Sequence, residues 1–271
     1  MNQCDIRFDA ALLVTGSGFG IRDSGWVAKH LPPSVHIRDV TNAFAVINIC
    51  GPHSREILQS VTDTDISNAA FPFLAARSLD VGNATVLAVR IGYVGELGYE
   101  LYIPQEFGPH VYETLWAAGA SHGIANAGYR AIDSCRMEKG YLYWSGDISP
   151  DYNPYEAGLG FCVALDKGEF IGRDALEKIN AVPLTRKLCS FTIDGFAPLH
   201  GGEAILHSGK VVGSTTSVGY GHTLGKTIAF GYVPADISNE KTFGIEAFGK
   251  TYNATRGPRC LYDAKMDRLK S

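Results

Sequence analysis

Hydrophobic and polar positions change their pattern along the chain. The short apolar runs "AALLVTG" and "FAVINIC" indicate buried strands. Four other stretches carry apolar residues at three-and-four spacing, which predicts helices: "DSGWVAKHL", "GPHSREILQSV", "PHVYETLWAAGASHG" and "RAIDSCRMEKG". Strands and helices therefore interleave up to about residue 180.

A different pattern begins at Thr185. Short strand-like runs follow one another, separated by Gly, Asp, Ser and Pro: "RKLCSFTID", "GEAILH", "KVVGSTTSV", "TIAFGYV" and "TFGIEAFG". This succession of short strands and turns is typical of a small β-barrel or sandwich. Because Pro183 lies where the pattern changes, we predict an α+β body over residues 1–182 and a β-domain over residues 183–271.

The composition excludes several classes of protein. A chain of 271 residues that is 45% hydrophobic and 19% charged can bury the core of one large or two ordinary domains. The formal charge is −4 and no run of Lys or Arg builds a basic surface, so neither nucleic acid nor a membrane is expected as a partner. Without an apolar run of membrane-spanning length or a signal-peptide profile at the start, we expect a cytoplasmic location.

Cysteine and histidine usage points away from disulfides and metals. The six cysteines are scattered without a C-x-x-C pair, and several lie in apolar runs, which favours buried free thiols in a reducing compartment. The eight histidines show no H-x-x-x-H or H-x-H spacing. We therefore expect no metal site.

Two further motifs favour structural roles. The segment "TGSGFG" departs from the G-x-G-x-x-G spacing, so we predict a strand-to-helix turn and no bound flavin or nicotinamide. The segment "GYRAIDSCRMEKGY" places charged residues on a helix, and four of them are expected to form a charge network that ties helix to sheet. These residues are Arg130, Asp133, Arg136 and Glu138.

The stretch "GYVGELGYEL", at residues 92–101, carries more chemistry. Glycine lets the backbone approach a flat ligand, and Tyr93 can stack on that ligand or hydrogen bond to it. The Glu100 carboxylate can accept two parallel hydrogen bonds from a ring edge with adjacent N–H donors, as in a pterin. The alternative is a β-hairpin whose turn needs glycine and whose Glu96 faces water. Composition alone favours the hairpin.

Six motifs together resemble the aminomethyltransferase family, the glycine-cleavage T-protein and its relatives. They follow the order and spacing of that family: "GPHSREIL", "GYVGELGYEL", "GYRAIDSCRMEKGY", "NPYEAGLGF", "FIGRDAL" and "LYDAKMDRL". The tail looks most like the folate-binding C-terminal part of dimethylglycine and sarcosine dehydrogenases. The resemblance implies an α+β fold of three lobes around a tetrahydrofolate pocket, here with a mixed α/β body incomplete at its N-terminus and a C-terminal β-barrel.

The same resemblance implies a reaction and its residues. A one-carbon unit passes from an amine donor to N5 of tetrahydrofolate, largely through positioning of the two reactants. Glu100 reads the pterin ring, Tyr93 lies near it and Phe73 packs the ring. Asp5, in "QCDIRF", falls on the essential aspartate, which orients the pterin and supports proton movement.

Two departures from the family pattern shape our expectations. The arginines that hold the glutamate tail of folate fall on Ile132 and Asp263, so tail recognition differs, with Arg130 a nearby substitute. Relatives also carry an opening segment with one wall of the pocket, and the dehydrogenases carry a flavin domain earlier still. We therefore expect a flavin-domain or N-terminal-lobe partner chain, and a mitochondrial matrix location if the source is eukaryotic. A non-catalytic folate-binding or regulatory paralogue remains the second hypothesis.

Overall fold

The structure is a computed structural model that describes residues 11–271. Its helices are α1 (Gly20–His30), α2 (Ser54–Gln59), α3 (Gly108–Gly119), α4 (Tyr129–Lys139), α5 (Arg173–Asn180) and α6 (Asp267–Lys270). Its strands are β1 (Phe44–Cys50), β2 (Ala76–Val81), β3 (Ala84–Val89), β4 (Gly98–Pro104), β5 (Arg186–Asp194), β6 (Ala204–His207), β7 (Lys210–Gly221), β8 (Lys226–Pro234), β9 (Thr242–Ala247) and β10 (Lys250–Gly257). Within this range, no helix combines the length and apolar character needed to span a membrane.

The first sheet is antiparallel, with strand order β1-β4-β3-β2. Side chains alternate between the two faces of each strand. One face is buried under α2 and α3, where Leu58 and Val111 join Leu101 in the core. The other face stays partly open, since Val46 on β1 is 50% exposed. An open face of this kind leaves room for a ligand or for further protein.

The second sheet is a closed antiparallel barrel with strand order β10-β5-β8-β7-β6-β9. Its interior is filled by apolar side chains such as Phe191, Ile205 and Ile245. Closure between β9 and β10 leaves no free strand edge in the barrel. The division of the chain into residues 1–182 and 183–271 stays a prediction.

The barrel packs on α4 through a small apolar cluster. Met137 of α4 is fully buried against Ile228 and Phe230 of β8. Since these side chains exclude water between helix and barrel, their burial stabilises the contact by about 1.5–3 kcal/mol for each fully buried side chain. The C-terminal half of α4 therefore belongs to the barrel interface.

A buried charge network reinforces the same contact. The guanidinium of Arg136 donates hydrogen bonds to Asp147 Oδ2 and to Ser217 Oγ on β7, both at 2.9 Å, and to Asp133 Oδ1 at 2.7 Å. The charges on α4 thus tie the helix to the closed sheet of the barrel, as the sequence predicted. Arg130 lies exposed in the first turn of α4.

One predicted strand is wrong. The run "AALLVTG" forms no strand in the described residues 11–16, and Leu13 and Val14 are 66% and 58% exposed. Its side chains have too little burial to hold an extended segment in place, and apolar composition alone supplies no pairing partner. The turn after it is confirmed, since a short 3₁₀ turn at Ser17–Phe19 leads into α1.

Candidate functional site

Two glycines in the segment 92–101 lie where a larger side chain would crowd neighbouring residues. Gly95 has a φ of +77°, and a Cβ built on it would lie 2.9 Å from Lys139 Cδ. A Cβ on Gly98 would lie 3.1 Å from the Cβ of Cys50, its partner across β1 and β4. Only glycine lets this turn rest on α4 and lets β4 approach β1 so closely.

Glu100 lies on the partly open face of the first sheet. On β4, Glu100 lies opposite Asn48 of β1 on one side and opposite Val89 of β3 on the other. The Tyr102 hydroxyl donates a hydrogen bond to Glu100 Oε2 at 2.8 Å. Among residues 11–271 this is the one hydrogen bond to the carboxylate, so Oε1 retains its acceptor capacity.

Tyr102 keeps its proton at neutral pH. Burial, followed by the hydrogen bond to the Glu100 carboxylate, raises the pKa of Tyr102 to about 12. A protonated hydroxyl is a permanent donor to Glu100, so it fixes the orientation of the carboxylate.

Tyr93 is held at its hydroxyl and at its ring. The hydroxyl donates to the Leu142 carbonyl at 2.7 Å, and the ring stacks on Tyr141 at a centroid distance of 5.8 Å and an angle of 12°. The side chain is still 38% exposed, and burial raises the pKa of the Tyr93 phenol. This arrangement suits a stacking platform better than a hydrogen-bond donor to a ligand.

Phe73 is half-buried in the turn before β2. The Leu74 N–H in this turn donates to the Arg90 carbonyl at 3.0 Å, which places the turn beside the end of β3, the strand next to β4. The neighbouring Phe71 is fully buried and packs on Tyr99 at 5.6 Å, on the core side of the sheet. Of the two aromatic residues, Phe73 retains the exposed surface.

The other residues assigned by resemblance separate into distinct environments. Asp5 lies outside the described residues. Asp263 forms an ion pair with buried Lys139 at 2.8 Å, so its carboxylate is engaged. Ile132 is half-buried, and Arg130 is exposed two residues earlier on α4.

The expectation that Glu96 faces water in a hairpin is wrong. The segment does connect the antiparallel neighbours β3 and β4. However, Glu96 Oε1 accepts a hydrogen bond from the Tyr262 hydroxyl at 3.0 Å, and its Oε2 lies 3.5 Å from an Arg268 nitrogen. Glu96 therefore holds the C-terminal segment against the turn.

Asn48 is the residue of this site that sequence reasoning missed. It is exposed and lies directly opposite Glu100. The available signal was one polar residue inside the apolar run "FAVINIC", but only the strand register shows which residue it faces.

A groove of about 520 Å³ opens elsewhere in the described part of the chain. Apolar groups of residues such as Phe161, Ile179 and Leu184 dominate its lining, and Lys187 is its one charged residue. None of Asn48, Phe73, Tyr93 or Glu100 lines it. The residues singled out for ligand binding therefore lie outside this groove, and the candidate site is centred on Glu100 and Asn48 of the open sheet face.

The architecture defines a class of protein: a mixed α/β body that presents an acidic residue on an antiparallel sheet, followed by a six-stranded barrel packed on a helix of that body. Two family models match this chain, the GCVT N-terminal domain over residues 4–167 and the glycine cleavage T-protein C-terminal barrel domain over residues 186–263. The chain belongs to the glycine cleavage T-protein family.

Known relatives agree with this assignment. The chain is 39% identical to human mitochondrial sarcosine dehydrogenase over 275 residues, covering 94% of this chain and 30% of the relative. It is 39% identical to mouse mitochondrial dimethylglycine dehydrogenase over 267 residues, covering 95% and 31%. The chain thus spans less than a third of the length of these dehydrogenases.

A solved structure matches as well. The crystal structure of glycine cleavage system aminomethyltransferase T from Bartonella henselae superposes with a TM-score of 0.72 at 25% identity, covering 82% of this chain and 60% of that one. The predicted α+β fold class, with a mixed α/β body and a C-terminal β-barrel, is confirmed.

Proposed function

We propose that this chain binds tetrahydrofolate and serves one-carbon transfer from an amine donor to the folate. It would act as a T-protein-like transferase or as the folate module of a dimethylglycine or sarcosine dehydrogenase. The observation that carries the proposal is the Glu100 carboxylate, oriented by Tyr102 on an open sheet face with one oxygen available as an acceptor. When bound, tetrahydrofolate supplies the N5 nucleophile.

The residues of the candidate site fit a pterin. Glu100 can accept hydrogen bonds from adjacent ring N–H groups, and charge-assisted bonds of this kind are strong. The Asn48 amide, opposite Glu100, offers both a donor and an acceptor to the same ring edge. Tyr93, backed by Tyr141, provides an aromatic surface for stacking, and Phe73 lies in the turn beside the end of β3. These groups bind and orient the ring, which is the main demand of the transfer.

Proton handling is assigned by resemblance to Asp5. A carboxylate near the reacting nitrogens can orient the pterin and accept or return a proton. We further propose a partner chain that supplies an N-terminal lobe or a flavin domain. We place the reaction in the cytoplasm, or in the mitochondrial matrix of a eukaryote.

The transfer is tested by the formation of 5,10-methylenetetrahydrofolate from an aminomethyl donor. The assay uses the chain alone and the chain mixed with a separately expressed N-terminal lobe of a relative. We expect turnover to rise on addition of the lobe, since near-attack geometry decides the rate and a displacement of about 1 Å costs on the order of a hundredfold. Asp5→Asn should abolish most of that turnover, whereas the matched variant Asp9→Asn should retain it.

The second hypothesis gives a different result. A non-catalytic paralogue would bind reduced folate and show no product in any combination, which would overturn the transferase proposal. Full turnover by Asp5→Asn would remove Asp5 from the mechanism.

A further inference from the structure

Three polar side chains converge on the surface next to α2. His53 Nδ1 lies 2.7 Å from Glu56 Oε2, and His122 Nδ1 lies 3.6 Å from the same oxygen. The two imidazole rings are 5.1 Å apart between centroids. All three potential ligand atoms lie within 4.8 Å of one another.

This cluster is separate from the candidate folate site. His53 and Glu56 lie at the start of α2, and His122 lies just after α3. These helices cover the buried face of the first sheet, whereas Glu100 lies on its open face. A ligand in the cluster would therefore bind without touching the residues proposed for folate.

The backbone under His53 and Glu56 is well fixed. Ile57 and Leu58 of α2 are buried in the core, and the buried Ser54 hydroxyl donates to the Leu97 carbonyl at 3.2 Å. Because His53 and Glu56 are three residues apart at the helix start, their side chains project from the same side.

The backbone under His122 is fixed as well. Gly119, at the end of α3, lies so close to Ile124 that a Cβ would be 2.6 Å from it. Gly123 turns the chain between them with a φ of +70°. His122 therefore sits in a tight turn beside α2.

We propose that His53, Glu56 and His122 bind a divalent transition-metal ion of the zinc class. Two imidazole nitrogens and one carboxylate oxygen are donors that suit zinc, nickel or copper, whereas calcium and magnesium prefer oxygen donors throughout. Zinc–nitrogen bonds of about 2.0–2.1 Å in tetrahedral geometry place ligand atoms about 3.3 Å apart. The two nitrogen–oxygen separations of 2.7 and 3.6 Å bracket this value, and the two imidazole nitrogens lie within 4.8 Å of each other.

Exposure of the side chains permits binding. The side chains of His53, Glu56 and His122 are 55%, 61% and 31% exposed. They can adjust by small rotations, and water can complete the coordination. A bound ion would link the start of α2 to the end of α3 and stabilise the folded state over the unfolded one.

The test is a calorimetric titration of the whole chain with Zn²⁺, after its thiols have been alkylated with iodoacetamide to remove competing ligands. We expect one ion bound per chain. His53→Gln and His122→Gln should each weaken binding by about tenfold or more, the scale on which losing a supporting group weakens a metal site. His200→Gln removes an exposed imidazole elsewhere on the surface and should leave the affinity unchanged.

A second measurement separates binding from folding. Co²⁺ added to the alkylated chain should give the visible absorption of a low-coordinate site, and both cluster variants should lose it. Thermal unfolding without metal establishes that each variant is folded. Absence of saturable Zn²⁺ binding, or equal affinity in all three variants, would overturn the proposal and leave the cluster as a histidine–carboxylate ion pair.

Discussion

Replacing Arg136 by Met should destabilise the chain strongly. The Arg136 side chain is 4% exposed, and its ion-pair partner Asp147 is fully buried. The guanidinium nitrogen of Arg136 lies 2.9 Å from Asp147 Oδ2. The substitution removes the cation and leaves the carboxylate inside, which typically costs about 3–5 kcal/mol. Asp147 keeps hydrogen bonds from the Tyr143 N–H at 2.9 Å and the Thr216 hydroxyl at 2.6 Å. We therefore expect a loss of about 3 kcal/mol.

Urea unfolding at neutral pH, followed by circular dichroism, measures this loss. The matched control is Arg173→Met, whose ion-pair partner Glu177 is 43% exposed and lies on the same helix. An exposed pair of this kind contributes less than about 1 kcal/mol. If Arg136→Met loses no more stability than Arg173→Met, the buried pair does not hold α4 on the barrel and the reasoning is refuted.

Three further predictions concern the turn, the tail and bound cofactors. Gly95→Ala should lose more than about 1–2 kcal/mol, the cost of a left-handed backbone for a residue with a Cβ, because the new Cβ would also lie 2.9 Å from Lys139 Cδ. Gly92→Ala, whose nearest neighbouring atom lies 3.5 Å away, should lose less, and equal urea midpoints would contradict this. Burial alone would raise the pKa of Asp263, but hydrogen bonds led by that from Lys139 lower it below its usual value. Asp263→Asn should therefore be less stable than the wild type at pH 7, and this difference in stability should shrink as the pH falls below about 4. Thermal unfolding of both proteins at pH 7 and below about pH 4 measures the difference, and an equal difference under the two conditions would refute the prediction. The purified chain should show no stoichiometric flavin absorbance, because "TGSGFG" lacks the dinucleotide spacing.

Much of the fold could be predicted because its elements carry local signals. The helices α1 to α4 show apolar residues at helical spacing. The barrel strands β5 to β9 are short strand-like runs separated by turn-forming residues. The strand β10 gave no such signal, because in "KTYNATRG" only Ala254 is buried. Conversely, "AALLVTG" has the composition of a strand but no strand pairing in the described residues.

The candidate site was predictable only in part for a similar reason. Glu100 and Tyr93 lie in one short motif, so resemblance could assign them. Asn48 faces Glu100 through strand register, and Glu96 meets Tyr262 through a contact between distant segments. Contacts of this kind depend on tertiary structure and leave no local spacing to find.

Folate binding tests the central claim most directly. Isothermal titration of tetrahydrofolate into the wild type, Glu100→Gln and Glu113→Gln compares a carboxylate on the open sheet face with an exposed one on α3. Glu96 is a poor control, since it holds Tyr262. Loss of hydrogen bonds to a charged group costs about 1.5–3 kcal/mol, so Glu100→Gln should bind about ten- to a hundredfold more weakly. Glu113→Gln should bind like the wild type. Wild-type affinity in Glu100→Gln would contradict a pterin site at this carboxylate.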